Sequence, residues 1–174
     1  MAYQGFLKIA AMASADGKTQ TRKITLVECE YQFHREVNKL GIPKDGVTGG
    51  RIIATVITPQ QSVFFYKWLF EERMENGFIE INNSDRDPHP HYIMFERARC
   101  VDIYEYFNNQ SKNMMTTRLT LQCPEMAFYG PNNDTFAFDF RHQKSRPVSG
   151  SEFASQATSD KDKLRENFDI LTLI

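Results

Sequence analysis

Hydrophobic and polar residues alternate along most of this chain with the period of two that belongs to β-strands. From Val27 onward, Val27, Cys29, Tyr31 and Phe33 fall on one side, and Glu28, Glu30, Gln32 and His34 on the other. The pattern predicts a strand over about 21–37, with the first set in the core and the second facing outward. Ile24 and Leu26 have the opposite parity. The buried face therefore switches near Leu26, as a bulge or sharp bend would make it do.

Similar reasoning predicts strands over residues 3–12, 51–58, 78–81, 92–106, 115–123, 125–129 and 135–141. Asp16-Gly17 marks a turn after the first of them, since glycine takes positive φ freely. Thr58, Pro59 and Gln61 have the residue types of a helix start, and the helix they open is expected to run to about Asn76 and stop at Gly77. Placed at 100° per residue, Val63, Phe65, Tyr66, Leu69, Phe70 and Met74 share one apolar sector. Phe64 and Trp68 fall opposite, among Lys67, Glu71 and Glu75. Either neighbouring loops shield that second stripe, or a partner subunit or the chain's own tail covers it. Strands separated by turn clusters, with one firm helix, predict an antiparallel barrel or sandwich.

Between the second and third strands lies Asn38, Lys39, Leu40, Gly41, Ile42, Pro43, Lys44, Asp45, Gly46, Val47, Thr48, Gly49 and Gly50, with a tight turn expected at Asp45-Gly46. Four glycines and a proline bar a regular strand here, and a loop this long inside a compact domain is usually functional. Its glycines lead into a strand and not into a helix N-terminus, which argues against a phosphate cradle. A structural or partner-contacting loop fits better.

Composition narrows the reading further. At 174 residues, 41% hydrophobic and 13% aromatic, the chain fits one domain with a real core. Its net charge of −1, from 21 basic and 22 acidic residues, leaves no electrostatic footprint for nucleic acid or an anionic membrane. Near-neutrality also favours self-association. No apolar run is long enough to span a bilayer, and the N-terminus lacks the pattern of a classical signal. The chain is expected to be made in the cytoplasm. Cys29, Cys100 and Cys123 stand far apart in apolar, strand-like contexts, as buried residues of a reducing compartment do. From His142 the sequence turns polar and becomes apolar again only at its end. This suggests a domain over 1–141 and an extension over 142–174 that docks through its terminus; fully extended it would reach on the order of 100 Å.

Chemistry is thinly represented. His89 and His91, two apart near Asp85 and Asp87, are the only histidine cluster, and in an extended segment both could reach one ion. The turn formers of 82–91 make a solvated loop the better account. No nucleophile elbow, zinc-protease helix, P-loop or dinucleotide fingerprint occurs. No catalytic, cofactor or metal site is expected.

The order of these elements, and above all the run from Leu26 to Ile57 with Glu28-Cys-Glu-Tyr-Gln-Phe-His-Arg-Glu-Val37 and Gly49-Gly50, resembles the Hcp (haemolysin-coregulated protein, TssD) tube proteins of type VI secretion systems, particularly the Bacteroidetes form. The resemblance covers about residues 2–141. It implies a compact antiparallel β-barrel of two packed sheets with one α-helix at the side. It also implies six-membered rings stacked into a hollow tube, expelled by a contractile sheath with its spike and baseplate, and able to carry or chaperone effector proteins. Such a subunit is assembled in the cytoplasm and secreted through the apparatus, with no enzyme activity and no cofactor. The loop Asn38 to Gly50 would contact the adjacent ring or subunit, and Glu28, Glu30, Gln32 and His34 would face the lumen or a neighbour. Two rival readings are a monomeric small-ligand β-barrel and a metal hydrolase using His89 and His91.

Overall fold

Ile52, Ala54 and Val56 are fully buried in the strand Thr48–Ile57, whereas the residues between them are partly exposed. This is the alternation expected of a strand with one face in a core. A computed structural model describes residues 3–10, 21–60, 62–83, 87–108, 114–129 and 135–146. In chain order the strands are β1 (Tyr3–Ala10), β2 (Thr21–His34), β3 (Thr48–Ile57), β4 (Glu75–Asn83), β5 (Asp87–Asn108), β6 (Met114–Gln122), β7 (Glu125–Tyr129), β8 (Thr135–Asp139) and β9 (Lys144–Arg146). Among the described residues there is one helix, α1, Val63–Phe70.

All strand pairs are antiparallel, in the order β4-β1-β2-β3-β6-β5-β7-β8-β9. The further β4–β5 pairing closes the first six strands into a barrel, and β7, β8 and β9 extend from the side of β5. The length of β5 makes this possible. Its first half pairs with β4 and β7, and its second half pairs with β6. Leu7, Ile9, Ile52, Ile79, Phe95, Leu119 and Leu121 fill the centre with side chains. The polar sheet hydrogen bonds are thereby satisfied around an interior of close-packed apolar groups.

The switch of parity near Leu26 is a β-bulge. Leu26 pairs with Val56 and Glu28 with Thr55, so Val27 is the extra residue. The consequences differ from the alternation reading. Val27 is 55% exposed, Tyr31 44% and Phe33 39%, and of that face only Cys29 packs against the core. The reason is tertiary. β1 accompanies β2 only as far as Leu26, and the outer half of β2 runs on with β3 as its paired neighbour. Its aromatics rest on the β7–β8 layer. Phe33 stacks on Phe140 at 5.7 Å and meets Phe128 edge-on at 5.5 Å.

The helix is shorter than its start signal suggests, and its inward face is shifted: Phe65 and Leu69 of the expected sector pack inward together with Phe64 and Trp68. Ser62 precedes its first turn, and Met74 and Gly77 lie outside it, with Gly77 inside β4. Phe64, Phe65 and Trp68 are buried, Trp68 completely, and its indole Nε1 donates to the Ala98 carbonyl at 3.0 Å. Phe70 is 77% exposed, and Val63 and Met74 are exposed too. The 100° projection over residues 59–76 averaged in positions that are not helical. In a two-turn helix the adjacent i,i+4 stripes Phe64/Trp68 and Phe65/Leu69 suffice to cover β5. Phe64 and Trp68 therefore need neither a partner subunit nor the tail to bury them.

The expected loop over 82–91 is largely strand: residues 82–83 belong to β4 and 87–91 to β5, and residues 84–86 lie outside the described residues. β9 carries the described sheet to Arg146 by pairing with β8. The extension beyond it, including its expected docking, lies outside the described residues. So does the turn at Asp16-Gly17.

Candidate functional site

The loop between β2 and β3 is the feature with the most local construction and the least burial. Asn38 opens a turn in which the Gly41 amide bonds the Asn38 carbonyl at 2.9 Å. The Asn38 side-chain oxygen accepts from the Leu40 and Ile42 amides, at 2.9 and 3.0 Å. This is how a short amide side chain substitutes for a missing backbone partner. Val37 bridges Pro43, the Lys44 amide bonds the Glu36 carbonyl at 2.7 Å, and the Lys44 and Glu36 side chains pair at 2.8 Å. The result is a small self-supporting hairpin whose turn is at Asn38–Gly41, not at Asp45-Gly46. Its tip displays Val37, Leu40 and Ile42 to solvent, Leu40 at 83% exposure.

The root of the loop is clamped. The Gln143 side chain accepts from the Val47 amide at 2.6 Å and donates to the Val47 carbonyl at 3.2 Å and the Phe140 carbonyl at 2.8 Å. Between Gln32 and His34 the β2–β3 register slips again, with the extra residue on β3 beside the glycine pair. Gly50 has φ +78, and a Cβ there would lie 2.3 Å from the Cys123 carbonyl oxygen. Two glycines in succession let the loop re-enter the sheet at this close approach.

Glu28, Glu30, Gln32 and His34 are all exposed on the outer half of β2. Other exposed apolar residues gather on the second half of β5, where Val101, Tyr104, Tyr106 and Phe107 point outward. Among the described residues no three His, Cys, Asp or Glu side chains group as metal ligands. His91 is exposed in β5, and the side chain of His89 lies outside the described residues. Burial raises the thiols of Cys29 and Cys100 to about 11 and that of Cys123 to about 12, so all three stay protonated near neutrality. No described helix is long and apolar enough to cross a membrane.

An ionic cluster ends the β7–β8 layer. The Arg97 and Arg141 guanidiniums share the Glu125 carboxylate, and Arg141 also meets Asp139 at 3.1 Å. Partial burial pushes the Asp139 carboxyl upward, but hydrogen bonds from Arg141 and His142 outweigh it and hold the group well below the usual carboxylate range. Alternation reveals neither this cluster nor the Gln143 clamp, because each joins residues tens of positions apart.

The model of the family described as Hemolysin coregulated protein Hcp (TssD) matches residues 1–134. The chain belongs to the Hcp family. Its members are type VI secretion tube proteins, and the fold agrees with theirs. Hcp1 from Flavobacterium johnsoniae is 20% identical with a TM-score of 0.60, over 78% of this chain and 98% of that one. Hcp1 from Salmonella typhimurium is 13% identical with a TM-score of 0.64, over 84% and 100%. A structure described as a type six secretion system protein gives a TM-score of 0.68 at 10% identity, over 83% and 100%. No curated protein matches the sequence.

Proposed function

We propose that this Hcp-family chain is the structural subunit of a type VI secretion inner tube. Six copies close into a ring, rings stack into a hollow tube, and a contractile sheath expels the tube with its spike from the baseplate. The subunit leaves the cytoplasm by this route and carries or chaperones effector proteins. The observation that carries the reading is the family match over residues 1–134. The exposed apolar groups support it physically. Leu40 and Ile42 on the loop, Tyr31 and Phe33 on β2, and Tyr104 and Phe107 on β5 are exposed apolar side chains of the kind that interaction surfaces use. A head-to-tail ring needs two different complementary patches of this kind.

In this reading the hairpin from Asn38 to Gly50 contacts the adjacent ring or subunit, its shape held by Asn38 and its root by Gln143. Glu28, Glu30, Gln32 and His34 face the lumen or a neighbour. The chain acts by assembly and not by catalysis. Light scattering after size exclusion, with negative-stain microscopy, tests it: the expected result is the mass of six chains and rings with an open centre. A clean monomer at high concentration refutes it.

A further inference from the structure

At the root of the glycine loop, where β5 exchanges β4 for β6, a cavity of about 520 Å³ opens. Three arginines line it: Arg97 and Arg99 from β5, and Arg141 from the turn after β8. Met74, Pro124 and Phe140 supply apolar walls. Two of the three cations are already balanced. Arg97 and Arg141 share Glu125, and Arg141 also pairs with Asp139. Arg99 has no carboxylate at ion-pair distance among the described residues, and a terminal nitrogen of its guanidinium lies 3.9 Å from the Met74 sulfur. Arg97 takes a left-handed φ of 52, uncommon for a residue with a side chain, and its amide is held by Asn76 Oδ1 at 2.7 Å.

Three cations against two anions leave one positive charge, beside the apolar walls of Met74, Pro124 and Phe140. We propose that this pocket binds one oxyanion, with Arg99 as its bidentate partner. The planar guanidinium fork matches a carboxylate or a phosphate, and Arg97 and Arg141 add to the attraction without leaving Glu125. The shared chemistry is a single oxyanion group, from an acidic polypeptide side chain or from a free inorganic ion. The inference concerns the individual chain and does not rest on ring formation.

Calorimetric titration of the full chain at low ionic strength tests it, with N-acetyl hexaglutamate amide and inorganic phosphate as probes. Saturable binding is expected. It weakens at least about tenfold in Arg99→Gln, falls less in Arg99→Lys, and is unchanged in Arg118→Gln, an exposed arginine of β6 outside the pocket. Binding of the peptide alone assigns the site to a polypeptide carboxylate, and phosphate that competes with the peptide assigns it to small oxyanions generally. Because Arg99 is exposed, the urea midpoint of Arg99→Gln should match that of the parent chain. No saturable binding of either probe overturns the proposal, as does binding that Arg99→Gln leaves intact or that Arg118→Gln weakens equally.

Discussion

Replacing Gly50 by alanine separates two reasons why a protein keeps a glycine. At Gly50 the backbone has φ +78, and the added Cβ would sit 2.3 Å from the Cys123 carbonyl oxygen and 3.0 Å from the Phe140 ring. The same two residues are joined by the Cys123 amide donating to the Gly50 carbonyl at 2.5 Å. Alanine therefore pays the left-handed penalty of about 1–2 kcal/mol. It must also displace backbone, at about 1–3 kcal/mol of overpacking, and weaken a hydrogen bond worth about 1 kcal/mol. Together these come to about 3–6 kcal/mol, a large part of the ~5–15 kcal/mol that holds a typical domain folded. Gly41 is the internal control. It has φ +76 with nothing within 4 Å of its Cβ position, so Gly41→Ala bears the conformational penalty alone. Equilibrium urea unfolding, followed by the fluorescence of Trp68, the chain's single tryptophan, measures both. Protein concentration is held fixed, since association adds to apparent stability. Losses within about 1 kcal/mol of each other would refute the steric argument at Gly50.

Three further outcomes follow from the packing and the charges. Trp68→Ala should destabilise the chain by about 3–5 kcal/mol, whereas Phe70→Ala should change it by less than about 0.5 kcal/mol; urea unfolding followed by circular dichroism measures both, and the reverse order would overturn the observed inward face of α1. Glu75 and Glu80 should respond oppositely to acid. Burial raises Glu75, only partly offset by Arg73 and Arg22, so its protonation favours the folded state, and the parent chain should gain on Glu75→Gln as pH falls through the raised value toward 4.5. Burial is outweighed at Glu80 by Lys8 and Asn82, so its contribution is present above the ordinary 4.5 and is lost as pH falls through its lowered value; Glu80→Gln should cost about 1–3 kcal/mol at pH 7 and little in strong acid, and matching pH profiles for the two variants would sink the assignment. Finally, the raised thiols of Cys29, Cys100 and Cys123 predict negligible alkylation by iodoacetamide at pH 7.5 until urea unfolds the chain, measured by mass spectrometry. Rapid labelling of Cys100 or Cys123 in the folded chain would contradict it.

The strand content was legible because burial on one face imposes a period of two, and β3 and β6 obey it at Ile52, Ala54, Val56, Leu119 and Leu121. The bulge at Val27 was legible for the same reason, as a break in parity. The glycines between β2 and β3 also announced their loop, since glycine adopts at little cost the positive φ found at Gly41, Gly46 and Gly50. The faces were a different matter. Alternation placed Tyr31 and Phe33 in the core, yet periodicity records only that two sides differ. Which side is covered depends on where β1 stops and where the β7–β8 layer lies. The helix misled in the same way: Trp68 is buried because Ala98 of β5 passes beneath it, a residue thirty positions away.

The sequence by itself determined the class of fold, the position of most strands though not the start of β5 or the presence of β9, the bulge and the loop, because these follow from local sterics and from the periodicity of burial. Only the tertiary structure decided which face of α1 is inward, that β5 closes the barrel by serving β4 and β6 in turn, that Gln143 clamps the loop, and that three arginines share one cavity. Those are contacts between distant parts of the chain. They are set by closure of the sheet, and no local pattern encodes where a closed sheet will bring its strands together.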